Sequence, residues 1–175
     1  MRNQNFAFID LEATGTNVIQ HEIIEIGCVI TDSDLNVIEE FEMKVKPERI
    51  EGADPVALKV NQYDESAWKD AYSLEEAMEI FSKKVKGCVM VGQNVAFDSA
   101  FLEHALATVG LPNEMHYHKL DTLSIAWAKL HRNTEVLRFS LRELCVKFGI
   151  VNEKAHTALS DARATYLLYK KLMEL

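Results

Sequence analysis

Acidic residues with neighbours able to aim a carboxylate recur at separated points of this sequence. The first stretch is Phe6-Ala7-Phe8-Ile9-Asp10-Leu11-Glu12-Ala13-Thr14-Gly15. Aromatic and β-branched residues suit a pleated, covered surface, so its apolar run reads as a buried strand. Residues i and i+2 of a strand point to the same side, which sets Asp10 and Glu12 side by side at the strand's end. Two adjacent carboxylates repel, and neither tolerates burial alone. A divalent cation keeps both ionised, and oxygen ligands suit Mg2+ or Mn2+. The other reading of this stretch is a strand end that simply runs into solvent.

The second stretch is Gly92-Gln93-Asn94-Val95-Ala96-Phe97-Asp98, where a short apolar run breaks into a loop and Asp98 opens a helix. Taken alone, Asp98 reads as a helix N-cap and Asn94 as a turn residue. The third is His156-Thr157-Ala158-Leu159-Ser160-Asp161. Asp161 lies in the first turn of the last helix, where a carboxylate suits the helix dipole and can point back at a sheet. His156 stands just before that helix, and a lone loop histidine is ordinarily a surface residue.

The elements that must position these groups follow from periodicity and punctuation. A polar loop over 16–21 precedes a second strand, Glu22–Thr31; Asp32-Ser33-Asp34 turns the chain into a third, Leu35–Val45. Short turns between three consecutive strands predict an antiparallel meander. Glu25 interrupts the apolar second strand and is expected at an edge or facing solvent. Asp54-Pro55 caps a short helix to about Val60, and the segment 61–72 is mixed. Ser73-Leu74-Glu75-Glu76 is a capping box for a helix ending before Gly87. Cys88–Val91 predicts a buried strand, followed by a helix from roughly Asp98 to Val109. Lys119-Leu120-Asp121 predicts a last short strand, and Asp121-Thr122 caps a helix to about Leu130. Ser140-Leu141-Arg142-Glu143 is a second capping box, with Gly149 ending its helix, and the final helix covers about Leu159 to Met173. Strands first, then alternating helix and strand, predict an α/β sheet covered by helices. With no repeat, linker or low-complexity segment, residues 1–175 read as a single domain.

Composition narrows the classes further. The 48% hydrophobic and 26% charged content is that of a globular protein with a substantial core. No apolar run approaches the ~20 residues that span a bilayer, and no signal peptide is read, so the chain is expected in the cytoplasm, away from membranes. Cys28, Cys88 and Cys145 are odd in number and sit singly in apolar contexts, as reduced core residues. A net charge of −8 argues against a general nucleic-acid-coating surface. It leaves a nuclease open, because metal ions can meet the phosphate. The most basic stretch holds Lys129, His131, Arg132, Arg138 and Arg142, with only Glu135 against them. It can track a single strand, but reads first as a solvated helix end and loop. Lys83, Lys84 and Lys86 fit a helix C-terminus. Trp68 and Trp127 read as core, and Asp121 as a cap.

Together the three acidic stretches resemble the three motifs of the DEDDh 3′–5′ exonuclease superfamily, the DnaQ-like proofreading class within the ribonuclease H-like fold. Asp10-Leu11-Glu12 with Thr14-Gly15 resembles the first motif, Asn94 to Asp98 the second, and His156-Thr157-Ala158-Leu159-Ser160-Asp161 the third. Each alone is weak; three in order, spread over nearly the whole chain, are specific. The resemblance implies a ribonuclease H-like mixed sheet, an antiparallel meander followed by parallel strands, flanked by helices. It implies two Mg2+ or Mn2+ ions among Asp10, Glu12, Asp98 and Asp161, with His156 as general base. It implies release of nucleoside 5′-monophosphates from the 3′ end of single-stranded DNA or RNA, or of short oligonucleotides. It also assigns substrate contacts to Leu11, Thr14, Gly15, Asn94 and Phe97, with a core role for Phe97 and turn chemistry for Thr14 as the competing readings. Two other functions stay open: a catalytically silent nucleic-acid-binding or polymerase-associated module on the same fold, and an unrelated α/β phosphohydrolase holding one metal. DNA against RNA, protein partners and oligomeric state are not written in these residues.

Overall fold

The computed structural model of the chain describes residues 4–152 and 157–175. Its centre is β1 (Phe6–Ala13), which pairs antiparallel with β2 (Ile23–Thr31); β2 pairs antiparallel with β3 (Val37–Lys44). On the other side of β1 lie β4 (Val89–Gly92) and β5 (Lys119–Asp121), both parallel. The order β3-β2-β1-β4-β5 is the predicted meander followed by parallel strands. The helices are α1 (Pro55–Val60), α2 (Leu74–Lys84), α3 (Val95–Thr108), α4 (Thr122–Leu130), α5 (Leu141–Phe148) and α6 (Ala158–Met173). A 3-10 turn over Glu65–Trp68 lies in the segment that reads as mixed.

Strand alternation decides what each face of β1 meets. Ala7, Ile9 and Leu11 point into a core with Met78 and Phe81 of α2 and Phe101 and Leu102 of α3. Phe8 points the other way, onto Ala162 and Tyr169 of α6, with ring centroids 5.5 Å apart for Phe8 and Tyr169. Asp10 and Glu12 continue the Phe8 row, so α6 is the helix they look toward. On β2, Glu25, Gly27 and Val29 share that row, with Gly27 opposite Asp10 and Glu25 opposite Glu12. A third cluster of Ala126, Leu144 and Leu168 ties α4 and α5 to α6.

Several local expectations hold in detail. Ser73 and Glu76 form the reciprocal capping box of α2, and Ser140 Oγ accepts from Glu143 N–H at the start of α5. Gly149 ends α5 in the left-handed region at φ 64°, where a side chain would be strained. Asp121 caps α4 by accepting from Leu123 N–H (3.1 Å), and Trp68 is buried with its indole N–H on Ile24 O (2.8 Å). The three cysteines are buried and free.

Other expectations are corrected. Helix α3 begins at Val95 and not at Asp98, because Asn94 takes a left-handed turn (φ 62°) directly after β4. Asp98 therefore lies inside the first turn. Strand β3 starts two residues late, since Leu35 (φ 65°) belongs to a turn held by the Asp32 carboxylate. Trp127 is 59% exposed, because the facing segment 131–140 leaves its ring uncovered on one side. Glu25 does not face solvent: it is 4% exposed, under the N-terminus of α6.

Candidate active site

The site forms where three chain segments converge at the C-terminal end of β1. Carboxylate oxygens of Asp10, Glu12 and Asp161 lie within 4.8 Å of one another. Asp98, 4% exposed, enters from the first turn of α3, and its Oδ1 accepts from Leu11 N–H (3.0 Å). That bond locks the α3 acid to the backbone between Asp10 and Glu12. It also explains why Asp98 is not a cap: its acceptor is spent on the neighbouring strand.

Asp161 reaches the cluster because α6 starts almost in contact with β2. A Cβ on Gly27 would lie 2.1 Å from the Ala158 carbonyl carbon, so only glycine permits this approach. The Glu25 carboxylate accepts from Ala158 N–H (2.8 Å), meeting an N–H that the helix itself cannot satisfy. Asn152 then orients the acid itself: its Nδ2 donates to Asp161 Oδ1, while its Oδ1 accepts from Ser160 Oγ (2.6 Å). Glu25, which its sequence places at an edge or in solvent, builds the site together with Gly27 and Asn152, neither of which is among the site residues expected from sequence. A glutamate and a glycine inside a buried strand were the available signal for two of them; Asn152 carried none.

The electrostatics are those of a site built for cations. Burial raises the Asp10 carboxyl well above its usual range, and Asp98, Asp161, Glu12 and Glu25 raise it further. Burial, then Asp161, Glu25 and Asp98, push Glu12 up to about 8. Burial pushes Asp98 up to about 7 against the opposing pull of the Leu11 N–H. Among the described residues, none of Asp10, Glu12 and Asp98 has an ion-pair partner. Clustered carboxylate oxygens, of which those of Asp10, Glu12 and Asp98 meet no ion-pair partner among the described residues, fit hard divalent ions such as Mg2+ or Mn2+.

A measurable pH dependence follows. These carboxylates have folded pKa values above their unfolded values of 3.8 and 4.5. The folded state then holds protons that the unfolded state releases, so the stability these three groups contribute is full below about pH 4 and falls as pH rises toward 8. In EDTA, Tm is expected to fall by roughly 5–10 °C between pH 5.5 and 8.5. Added Mn2+ should restore most of that loss at pH 8.5 and little at pH 5.5. A metal-free Tm that is flat or rising over this range contradicts the assignment of a strained acid cluster.

The expected substrate residues divide. Leu11, Gly15 and Phe97 border one cavity of about 260 Å3 together with Glu12 and Asn61. Asn61 is itself held by its Nδ2 donating to Ala13 O (2.8 Å). Phe97 is half-buried, packed on Phe101 with ring centroids 4.8 Å apart, so it serves core and cavity together. A Cβ on Gly15 would come 2.4 Å from the His21 ring, so a larger residue there would displace that side chain. Thr14 shows the turn chemistry of its competing reading: it is 1% exposed, its Oγ1 accepts from Glu22 N–H (2.9 Å) and its N–H donates to Glu22 O (2.8 Å). Asn94 is absent from this cavity; its N–H donates to Asp121 Oδ1 (2.8 Å) and it borders a separate, larger cavity. His156 lies outside the described residues.

Comparison with known proteins agrees with this geometry. The RNase_T exonuclease family matches residues 7–169. DNA polymerase III PolC-type from Caldanaerobacter subterraneus is 32% identical over 97% of this chain, which spans only 12% of that polymerase's length. DNA polymerase III subunit epsilon from Treponema pallidum is 29% identical over 96% of this chain and 76% of its own. Oligoribonuclease from Buchnera aphidicola is 29% identical, covering 98% and 94% respectively. E. coli exonuclease I in complex with a dT13 oligonucleotide superposes with a TM-score of 0.83 at 22% identity, over 97% of this chain and 41% of that one. That likeness carries the ribonuclease H-like exonuclease fold, and no helix among the described residues is long and apolar enough to cross a membrane. With an exonuclease family matched over nearly its whole length and a sheet that brings the acids of separate motifs together, the chain belongs to the DnaQ-like, RNase_T exonuclease family.

Proposed function

We propose that this chain, taken over residues 1–175 as one exonuclease domain, is a metal-dependent 3′–5′ exonuclease acting on single-stranded DNA or RNA. The observation that carries the reading is the convergence of Asp10, Glu12 and Asp161 within 4.8 Å, with Asp98 bonded to the same strand. These four carboxylates would hold two divalent cations, Mg2+ or Mn2+, which when bound supply Lewis-acid stabilisation of charge on the scissile phosphate. The cavity bordered by Leu11, Gly15 and Phe97, with Glu12 on its wall, takes the 3′-terminal nucleotide. Water attacks phosphorus, the P–O3′ bond breaks, the departing O3′ takes a proton from solvent to become the 3′-hydroxyl of the shortened strand, and a nucleoside 5′-monophosphate leaves. The attacking water's proton goes to His156, a role carried over from the third motif; an imidazole with a reference pKa of roughly 6.5 suits it. Three buried, free cysteines fit a reducing cytoplasm.

A catalytically silent binding module is disfavoured by energetics. Such a module has no use for buried carboxylates whose ionisation the fold penalises. Relatives named as DNA polymerase III chains suggest association with a polymerase, which the same chemistry would serve as proofreading. The test is digestion of matched 5′-labelled DNA and RNA strands with Mg2+ or Mn2+. Stepwise shortening from the 3′ end with 5′-monophosphates as the only small product is expected. Intact strands, or internal cuts, rule the proposal out.

A further inference from the structure

A second surface lies beside the proposed catalytic centre. A cavity of about 940 Å3 opens between the end of β4, the outer face of α4 and the segment leading into α5. Trp127 forms one wall, 59% exposed, with its ring 4.6 Å from Phe139. Leu137 and Arg138 form the rim, and Asn94 the edge nearest the acids. The floor is fixed: Gln93 Nε2 donates to Phe139 O (2.7 Å), and Thr122 Oγ1 donates to Gln93 Oε1 (2.6 Å). Ser140 and Leu141 also border a cavity that reaches Asp161, so this surface continues toward the cluster.

Its rim carries unpaired positive charge. In a chain of net charge −8, nine of the seventeen described lysine and arginine side chains are spent in ion pairs, such as Lys84 with Glu39 and Arg163 with Glu40. Lys129, Arg132, Arg138 and Arg142 pair with no acid among the described residues, and all are exposed. Of these cations Arg138 borders the cavity with the exposed indole, though Glu135 and Glu143 lie in the neighbouring cavity that it also borders. An unpaired guanidinium beside an aromatic face matches what a single strand recognises, since phosphates track positive charge and bases stack on aromatic faces.

We propose that the Trp127–Arg138 cavity is a subsite for the nucleotides upstream of the scissile bond, with Trp127 stacking a base and Arg138 meeting the backbone phosphate. This rests on the exonuclease reading above and adds a length preference to it. Strands long enough to reach the cavity bind more tightly than those filling only the terminal site.

The test uses 5′-fluorescein-labelled dT2, dT4 and dT8, and the matching rU strands, with Ca2+ in place of Mg2+ for anisotropy. Parallel rate measurements use Mg2+. Affinity should rise with length in the wild type. Trp127→Ala should weaken dT8 binding about tenfold while changing dT2 binding far less. Arg138→Ala should lower the slope of log affinity against log salt by about 0.7. Equal loss on dT2 and dT8, or no loss, overturns the subsite. Digestion that proceeds with length-independent binding overturns the subsite and leaves the exonuclease reading standing. Length-dependent binding without hydrolysis does the reverse, and a wild type that neither binds nor cuts overturns both.

Discussion

Replacing Asp10 by asparagine is expected to lower turnover on the order of 1,000-fold or more, since the lost charge stabilisation is several kcal/mol. The same substitution should leave the metal-free protein no less stable at pH 8 than the wild type. Asp10 is half of a strand-end pair facing Asp161, and its ionisation is opposed by burial and by four neighbouring acids. Asparagine keeps the shape and removes the charge the fold resists. The Tm rise that Mn2+ gives the wild type should shrink sharply in the variant, because the oxygen cluster has lost an anionic ligand. Thermal scans in EDTA and in Mn2+, beside single-strand digestion, read all three effects. Retained turnover, or a metal-free Tm well below wild type at pH 8, would remove Asp10 from the centre of the site.

The contrast between Asp10 and Glu25 marks how far residue patterns reach. Asp10 and Glu12 are legible because strand alternation is local: two acids at i and i+2 must share a side. Asp98 and Asp161 are legible through motif spacing, although Asp98 taken alone reads as a cap and is not one, since its acceptor goes to a strand 87 residues away. Glu25 looks like an edge residue because nothing near it in sequence could satisfy a buried carboxylate; its partner, Ala158 N–H, is 133 residues away. Gly27 signals a close approach but not by what, as its necessity comes from a helix that arrives last in the chain. Trp127 fails differently. Amphipathic spacing puts it on a covered face, and the segment over 131–140 that should cover it leaves a cavity. The legible parts of this molecule are set within an element or by motif order. The illegible ones are set by which distant backbone happens to lie across it.

That backbone contact supplies the second large effect. Gly27→Ala is expected to reduce turnover on the order of 100-fold, the scale of a 1 Å misplacement of a reacting group. The added Cβ would meet the Ala158 carbonyl carbon at 2.1 Å and Leu159 N at 2.2 Å, both backbone atoms, so the start of α6 must lift from β2 and carry Asp161 with it. Glu25→Ala acts on the same joint from the other side. It strands the Ala158 N–H in a buried place, at a cost of about 1–3 kcal/mol, and removes from the helix N-terminus a carboxyl that burial pushes up to about 7 and that is therefore fully charged only above neutral pH. Glu25 is thus a positioning residue, and its signature differs from that of a residue that only stabilises. Mn2+ affinity should fall roughly 10–100-fold in Glu25→Ala, the range seen when a ligand's supporting partner is lost. Glu25→Gln keeps an acceptor for Ala158 N–H and should recover most of that affinity. A lower Tm with Mn2+ affinity and turnover unchanged in both Gly27→Ala and Glu25→Ala would show that the joint supports the fold alone. Loss of affinity in Glu25→Ala, recovered in Glu25→Gln, ties the geometry of the acid cluster to a sheet residue that touches no substrate.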